Sequence, residues 1–393
     1  MGKLLDQRVA FVIGTRPEAI KLSPVARALA DRGTLPRIVL TGQHPNLEPA
    51  VFDLAGFPAA ELGCAGQADP HRHVAQVARS IGPAIDGAKL VVVQGDTSSA
   101  LGGALGAAMA GVPVAHVEAG LRSHDRANPW PEEDFRIAID AEADLLFAPT
   151  QLNAANLRRE GARGQVMVTG NSGIDALLEG IPLLPKPGER SGDSYRLLVT
   201  CHRRESWGES LHAIAGCLRE VASRGKVSIT MMLHPNPAVA GEMRRLLGGC
   251  ANIVLREPCA HAEMLRLMHE SDLILSDSGG VQEEAPALGV PLLVLRDRTE
   301  RPEGILSGNA LLVGRDPAEI LATVDRLFDD AAALAAMRQP AFPYGDGRSS
   351  WRIAAAIEDW LVNGGRTLAR SEVSPRARSL ASSGRATLPR TAI

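Results

Sequence analysis

The stretch LILSDSGGVQEE, Leu273–Glu284, predicts in order a buried parallel strand, a glycine turn and the start of a helix. Unpaired amide groups and the helix dipole at such a turn favour an anion. The missing side chains of Gly279 and Gly280, next to Ser278, would let a phosphate approach the backbone closely. An ordinary helix cap is the alternative interpretation. Glu284, one helical turn further on, is well placed to hold ribose hydroxyls and favours a nucleoside diphosphate as the ligand.

The same alternation of short apolar runs and helical segments continues along most of the chain. This βα repetition predicts parallel sheets with helices on both faces, which is an α/β fold with doubly wound domains. The predicted strands are Arg8–Ile13, Arg37–Leu40, Leu90–Val93, Val112–Val117, Leu145–Ala148, Val166–Val168, Arg196–Thr200, Ile229–Leu233, Asn252–Leu255, Leu273–Leu275 and Pro291–Leu295.

A break in this alternation divides the chain into two domains. Residues 181–194, IPLLPKPGERSGDS, hold three prolines and two glycines, a composition typical of a linker. We therefore expect an N-terminal domain at 1–182, a linker at 183–195 and a C-terminal domain at 196–345. Residues 349–363 predict a last helix. The Ser-, Arg- and Pro-rich residues 366–393 lack apolar periodicity, which predicts a disordered tail.

Composition and charge argue against several classes of protein. A content of 45% hydrophobic and 22% charged residues is typical of a globular protein, and the formal net charge of -3 gives no support for a nucleic-acid partner. No apolar run approaches the roughly 20 residues that span a bilayer, and the N-terminal sequence does not resemble a signal peptide. Five scattered cysteines fit reduced thiols in the cytoplasm, and no metal-ligand spacing stands out.

The motif GTRPEAIK, residues 14–21, places two cations beside the first predicted strand. Pro17 is typical of the first turn of a helix, so Arg16 would project from the turn and Lys21 would follow on the helix. The carboxyl end of a parallel sheet is where α/β proteins bind ligands. Both cations are therefore candidates to face an anionic ligand, and surface charges near a cap are the alternative.

Acidic residues follow two strands of the first domain and begin one of its helices. Asp96 lies at a strand end, where it is either a site residue or a helix N-cap. Glu118 comes directly after a buried strand, where poor solvation raises the pKa of a carboxyl and suits proton transfer. Glu132 and Glu133 follow Pro131 at a predicted helix start, where paired acids commonly serve as caps.

Cationic loops follow strands of the second domain. His202 and Arg203 come after its first strand, His234 follows its second, and the charged segment Arg296–Glu303 follows its last predicted strand. Clusters of charge in such loops usually serve ligands, and pairing with neighbouring acids is the alternative.

Together these motifs resemble those of the non-hydrolysing UDP-N-acetylglucosamine 2-epimerases, and the resemblance extends to about residue 363. Each motif alone is weak evidence for this family, whereas the whole set in this order and spacing is highly specific for it. The motifs are GTRPEAIK (14–21), TGQH (41–44), GDT (95–97), HVEAGLR (116–122), PWPEE (129–133), TGN (169–171), HRRES (202–206), SDSGGVQEEAP (276–286), RDRTERPE (296–303) and PYGDG (343–347).

The resemblance implies a glycosyltransferase-B-like fold, in which two Rossmann-like doubly wound domains face each other across a cleft and the C-terminal helix packs back on the first domain. It implies interconversion of UDP-N-acetylglucosamine and UDP-N-acetylmannosamine, by elimination of UDP to 2-acetamidoglucal and re-addition. This chemistry needs no redox cofactor and no metal. The resemblance also implies a cytoplasmic homodimer whose product commonly feeds polysaccharide biosynthesis.

The resemblance further implies roles for residues at matching positions. Asp96 and Glu132 would handle the proton transfers at carbon 2, and Glu118 would shape or share their network. His202 would lie near the phosphates or the leaving oxygen. The expected UDP contacts are Arg16, Lys21, Ser278, Gly279, Gly280, Glu284 on the ribose, and Arg301.

The chain departs from the family pattern in two places. At the expected uracil contact it has Pro258–Met264, PCAHAEM, where relatives often carry aromatic residues. Many bacterial members also bind a second UDP-N-acetylglucosamine as an activator through the TGQH loop, which continues here with Pro45-Asn46. The expected allosteric residues are Gln43, His44, Arg203 and His234.

Several alternatives stay open at this point. The chain could act on a modified UDP-2-acetamido sugar, or it could be a hydrolysing 2-epimerase that releases free N-acetylmannosamine. A glycosyltransferase with the same two-domain fold would need an acceptor, and a non-catalytic sensor would have no reason to bury carboxylates beside a diphosphate.

Overall fold

The computed structural model describes residues 8–45, 47–184, 194–201 and 207–364, which form two α/β domains. Several predictions lie outside these described residues: the positions of His202 and Arg203, most of the linker, and the disordered tail. Among the described residues, no helix combines the length and the apolar character needed to cross a membrane.

The first domain is built on a seven-stranded sheet in the order β3-β2-β1-β4-β5-β6-β7, with all neighbouring strands parallel. The strands are β1 (Val9–Ile13), β2 (Arg37–Leu40), β3 (Ala59–Glu61), β4 (Leu90–Gln94), β5 (Val114–Val117), β6 (Leu145–Ala148) and β7 (Gln165–Val168). The helices are α1 (Arg16–Asp31), α2 (Pro70–Ser80), α3 (Ser98–Met109), α4 (Glu132–Glu142), α5 (Gln151–Arg159) and α6 (Ser172–Gly180).

The second domain has a six-stranded sheet in the order β10-β9-β8-β11-β12-β13, again parallel throughout. The strands are β8 (Tyr195–Thr200), β9 (Val227–Met232), β10 (Ile253–Arg256), β11 (Leu273–Ser276), β12 (Leu292–Val294) and β13 (Ala310–Leu312). Its helices are α7 (Glu209–Ser223), α8 (Pro237–Leu247), α9 (His261–His269), α10 (Gly279–Leu288), α11 (Glu303–Leu306), α12 (Pro317–Asp329) and α13 (Ala331–Met337), and a last helix, α14 (Ser349–Val362), follows this domain in the chain.

Strand β1 shows why the first sheet is covered on both faces. All five of its residues are buried, and successive side chains point to opposite faces. Phe11 packs in a core that includes Leu22 of α1 and Ile357 of α14. Val12 packs on the other face with Ala104 of α3. The last helix therefore lies against the first domain although it follows the second in sequence.

The strand order reverses once in each sheet, between β1 and β4 in the first domain and between β8 and β11 in the second. Ligands of α/β proteins bind in the crevice outside the carboxyl ends of the strands at such a reversal. Arg16 follows β1, Asp96 follows β4 and Ser278 follows β11. The topology therefore brings candidate residues of each domain to its binding crevice.

The predicted fold class, two doubly wound parallel domains, is confirmed by these topologies. Two edge strands, β3 and β13, were not predicted. Strand β3 has the sequence AAE and is largely exposed, so it lacks the apolar run that indicates a strand. Its pairing with β2 comes from the sheet edge that β2 offers and not from its own composition.

Candidate functional site

Buried charges from both domains meet in a group that we call the interdomain cluster: Lys21, Glu118, Glu283, Glu300 and Arg301. Lys21 Nζ contacts Glu118 and lies 2.9 Å from Glu283 Oε2. Arg301 Nη2 lies 3.0 Å from Glu118 Oε1, and its Nε lies 2.7 Å from Glu283 Oε1. Because Lys21 and Glu118 belong to the first domain, these pairs join the two crevices into one site.

The pKa values of the two bridging carboxyls of the cluster are shifted in opposite directions. Burial raises the pKa of Glu118 above its ordinary value, and Lys21 offsets only part of this rise. Burial also raises the pKa of Glu283, but the charges of Lys21 and Arg301 together hold this pKa below the ordinary value. Carboxyl groups whose environments separate their pKa values are suited to different roles in proton transfer. The structure thus agrees with the sequence-based expectation that Glu118 has a raised pKa.

Glu118 also has an unusual backbone conformation. Its φ of 71° lies in the left-handed region, which non-glycine residues seldom adopt. Gln94 Nε2 donates a hydrogen bond of 2.6 Å to its Oε2. Residues held in such sparsely populated conformations cluster at active sites, where the surrounding structure fixes them.

Asp96 lies at the carboxyl end of β4 and is held by Arg136 of α4. Arg136 Nη2 is 2.5 Å from Asp96 Oδ2, and its Nη1 is 3.3 Å from Glu133. The guanidinium is almost fully buried, and within the described residues its Nε and Nη1 make no hydrogen bond. Two carboxylates, Asp96 and Glu133, therefore pair with this buried charge and hold the guanidinium beside Asp96.

The paired acids at the start of α4 have different environments. The carboxylate of Glu133 is buried and accepts hydrogen bonds of 3.0 Å from the amides of Ser123 and His124. These hydrogen bonds go to amides of the loop before α4, so Glu133 fixes that loop, which is a different role from capping the helix. Glu132 is the first residue of α4 and is half-buried. Adjacent helical residues point about 100° apart, so Glu132 faces a different direction from Glu133.

The glycine turn after β11 fits closely around Arg301. Ser278 is the N-cap residue of α10, and its side chain makes no capping hydrogen bond. A Cβ atom at Gly279 would lie 2.9 Å from the guanidinium carbon of Arg301, so this glycine allows Arg301 to cross the turn. Apart from its chain neighbours and its own helix, a Cβ at Gly280 would meet, among the described residues, only Ser278 Oγ at 3.9 Å, which leaves space for a ligand. The predicted anion site therefore has a cation behind it.

Glu284, the candidate ribose ligand, has a partner that the sequence did not indicate. His261 Nε2 lies 2.8 Å from Glu284 Oε1. Two residues earlier, the carbonyl oxygen of Cys259 accepts a hydrogen bond of 3.5 Å from Arg16 Nη1 of the first domain. The loop before α9 therefore lies at the mouth of the same interdomain site.

In the TGQH loop, the side chain of Gln43 is hydrogen-bonded within the first domain, whereas His44 is exposed. Gln43 Oε1 accepts hydrogen bonds from Ser99 Oγ at 2.7 Å and from Ser98 Oγ at 3.2 Å, at the start of α3. His44 is exposed, and its Nδ1 accepts a hydrogen bond of 3.4 Å from the Arg16 amide. In the second domain, His234 Nδ1 accepts a hydrogen bond from the Asn236 amide at 2.8 Å.

Sequence reasoning missed two groups that position the candidate acids. Glu18 accepts hydrogen bonds from the amides of Gly14 at 2.6 Å and Thr15 at 2.7 Å, and it contacts the hydroxyl of Thr97, the neighbour of Asp96. His116 lies 2.7 Å from Asp140 and 2.8 Å from the carbonyl oxygen of Gly95, which also adjoins Asp96. Their positions in GTRPE and HVEAG were visible, but their partners depend on how helix and strand pack.

Glu18 gives the folded protein a defined pH dependence. Burial raises its pKa from 4.5 to about 7, although hydrogen bonds from Thr97 and the amides of Gly14 and Thr15 lower it in part. The folded state therefore binds a proton that the unfolded state releases in this range. The stability that this group contributes is complete below about pH 4.5 and is lost as the pH rises through about 7.

We expect Glu18→Gln to remove this dependence, because glutamine has similar size and does not ionise. Between pH 4.5 and 8, the stability of the wild type relative to the variant should fall by about 3 kcal/mol. Denaturant unfolding of both proteins at several pH values measures the difference. Glu319→Gln, an exposed glutamate in the first turn of α12, is the matched control. A constant difference between wild type and Glu18→Gln across this range would contradict the prediction.

In the part of the chain that the structure describes, no group of three His, Cys, Asp or Glu side chains is arranged to hold a metal ion. The acids of the site are instead paired with lysine and arginine. The arrangement offers carboxylates for proton transfer, cations for a diphosphate, and a carboxylate for a ribose.

Comparison with known proteins identifies the group that shares this arrangement. The sequence profile of the UDP-N-acetylglucosamine 2-epimerase family matches residues 27–358. The UDP-N-acetylglucosamine 2-epimerase of Salmonella typhimurium is 37% identical over 374 residues, which cover 91% of this chain and 100% of that protein.

Solved structures give the same result. UDP-GlcNAc 2-epimerase from Neisseria meningitidis, bound to UDP-GlcNAc, has a TM-score of 0.83 and 33% identity, and covers 89% of this chain and 99% of that one. The enzyme from Methanocaldococcus jannaschii, in complex with UDP-GlcNAc and UDP, has a TM-score of 0.78 and 33% identity with the same coverage. The resemblance of the motifs to those of UDP-N-acetylglucosamine 2-epimerases is confirmed.

Proposed function

Because this chain belongs to the UDP-N-acetylglucosamine 2-epimerase family, we propose that it interconverts UDP-N-acetylglucosamine and UDP-N-acetylmannosamine and is of the non-hydrolysing type. One observation carries the proposal beyond family membership. Glu118 of the acid-bearing domain lies 3.0 Å from Arg301, which lies behind the glycine turn of the other domain. A nucleotide diphosphate at that turn would have its sugar beside the acids of the first domain.

The chemistry explains why both halves of the site are needed. The proton on carbon 2 is not acidic, because no carbonyl group is attached to that carbon. In the elimination route, a base takes this proton, the C–H electron pair becomes the C1=C2 double bond of 2-acetamidoglucal, and UDP leaves with the electron pair of the anomeric C–O bond. Re-addition of UDP at carbon 1 and of a proton at the opposite face of carbon 2 gives the epimer.

We assign the proton transfers at carbon 2 to Asp96 and Glu132. Arg136 holds one oxygen of Asp96 at 2.5 Å, which orients the carboxylate and leaves the other oxygen for the sugar. The raised pKa of Glu118 and its link to Lys21 and Arg301 support a role for Glu118 in sharing charge between the acids and the diphosphate.

The departing UDP is stabilised by fixed charges and amide donors. Negative charge on the diphosphate grows as the anomeric bond breaks, so groups already in place act mainly on the transition state. Glu284 would hold the ribose and His202 would lie near the phosphates or the leaving oxygen. The groups we assign to UDP are Arg16, Lys21, Ser278, Gly279, Gly280, Glu284 and Arg301.

We further propose a cytoplasmic homodimer with allosteric activation by a second UDP-N-acetylglucosamine. The free cysteines among the described residues fit a reducing compartment. The exposed imidazole of His44, bonded to the Arg16 amide, supports a connection between the TGQH loop and the phosphate-binding residues. Gln43, Arg203 and His234 would complete the activator site.

Proton NMR of the protein with UDP-N-acetylglucosamine in heavy water tests the proposal. We expect UDP-N-acetylmannosamine to form without any acceptor, with deuterium at carbon 2, because the proton is removed and replaced by an exchangeable one. Free N-acetylmannosamine and UDP would instead indicate the hydrolysing type. A product that keeps its original proton at carbon 2 would exclude the elimination route.

A further inference from the structure

The proposed function assigns no role to His261, the partner of Glu284. His261 is the first residue of α9, and its Nε2 lies 2.8 Å from Glu284 Oε1. Both side chains are partly exposed, at 25% for His261 and 13% for Glu284, so a ligand can reach them. Within the segment Pro258–Met264, His261 is the one aromatic side chain.

We propose that His261 is a positioning residue for the ribose of the nucleotide, because it fixes the carboxylate of Glu284 in the orientation that accepts the ribose hydroxyls. This inference rests on the proposed function, since it takes a uridine diphosphate as the ligand of the glycine turn. Nε2 engages one oxygen of Glu284 and leaves the other for the sugar. An ordered carboxylate loses less side-chain entropy on binding than one that must be immobilised by the ligand.

The electrostatics of the pair agree with this geometry. Burial lowers the pKa of His261. The hydrogen bond and the charge of Glu284 raise it by more, so the pKa of His261 lies above its ordinary value. A raised pKa favours the protonated imidazole, whose charged N–H donates a stronger hydrogen bond to the carboxylate than a neutral one. Cys259, two residues before His261, is joined to Arg16 of the first domain, which ties the pair to the side of the site that holds the diphosphate.

A purely structural role for the pair makes a different prediction. If His261 only docked α9 onto α10, its loss would lower stability or weaken all nucleotides equally. If His261 instead orients Glu284 toward the ribose, the loss of affinity in the variant must depend on whether the nucleotide carries the ribose 2′-hydroxyl. The ratio of affinities for UDP and 2′-deoxy-UDP therefore separates the two roles.

The test measures Kd for UDP and for 2′-deoxy-UDP by calorimetry. We expect the wild type to prefer UDP, and we expect His261→Phe to weaken UDP binding roughly 10-fold while 2′-deoxy-UDP binding changes much less. His261→Gln should restore most of the preference, because its amide can donate to Glu284. His269→Phe, at the other end of α9, is the matched control and should leave both affinities unchanged.

Two outcomes would overturn the inference. One is an unchanged ratio of UDP to 2′-deoxy-UDP affinity in His261→Phe, or in His261→Ala, which also lacks a donor to Glu284, if the first variant does not fold. The other is full additivity of His261→Phe with Glu284→Gln, since residues that act through one another are not additive. Either result, with wild-type turnover intact, leaves the proposed function standing, whereas a wild type that binds neither nucleotide contradicts the proposed function itself.

Discussion

Asp96→Asn is expected to lower kcat for epimerisation by roughly 10³-fold, within the range that a positioned acid or base contributes. Asparagine keeps the shape of the side chain and can still accept a hydrogen bond from Arg136, which lies 2.5 Å from Asp96. It cannot take a proton from carbon 2. The loss should therefore fall on the chemical step, with little change in the affinity for UDP. NMR of product formation and calorimetry with UDP measure the two effects separately.

Glu132→Gln should behave in the same way, because both acids are assigned to the proton transfers. Asp86→Asn, an exposed aspartate of the same domain, is the control and should turn over normally. Near-normal kcat in both Asp96→Asn and Glu132→Gln would remove these residues from the catalytic role. Loss of UDP binding together with activity would point to misfolding or to a nucleotide contact instead.

The sequence predicted the position of Asp96, Glu118 and Ser278 for a simple physical reason. Each follows a short apolar run, and the carboxyl ends of parallel strands meet at one edge of a sheet. Local sequence is enough to place such residues, because strand period and turn chemistry act over a few residues. The topology of the sheet then predicts that these residues lie close together, even when their contacts are not known.

Contacts made by residues within helices could not be predicted in the same way. Glu283 and Glu284 are neighbours, and the sequence selected Glu284 for the ribose, but it did not indicate that Glu283 would meet Lys21 and Arg301. Arg136 reaches Asp96 across 40 positions of sequence. Such pairs depend on the rotation of a helix about its axis and its distance from the sheet, which are set by packing between elements.

The second large effect is expected from Arg301→Ala. Arg301 is buried and contacts three carboxylates, Glu118, Glu283 and Glu300. Removing it leaves these buried acids without one of the cations that pair with them, and breaking a buried ion pair from one side costs about 3–5 kcal/mol. Affinity for UDP should also fall by at least about 100-fold, because the glycine turn loses the cation behind it. Thermal unfolding and calorimetry with UDP measure the two effects.

Arg298→Ala is the matched control for this prediction, since Arg298 is an exposed arginine of the same loop. Arg301→Lys sharpens the test, because lysine keeps the charge but not the planar fork that reaches Glu118 and Glu283 at once. We expect Arg301→Lys to retain more stability than Arg301→Ala and still bind UDP weakly. If folded Arg301→Ala bound UDP as tightly as the wild type, the cation behind the turn would serve only to join the domains. The diphosphate would then have to be held by the amides and by the first domain alone.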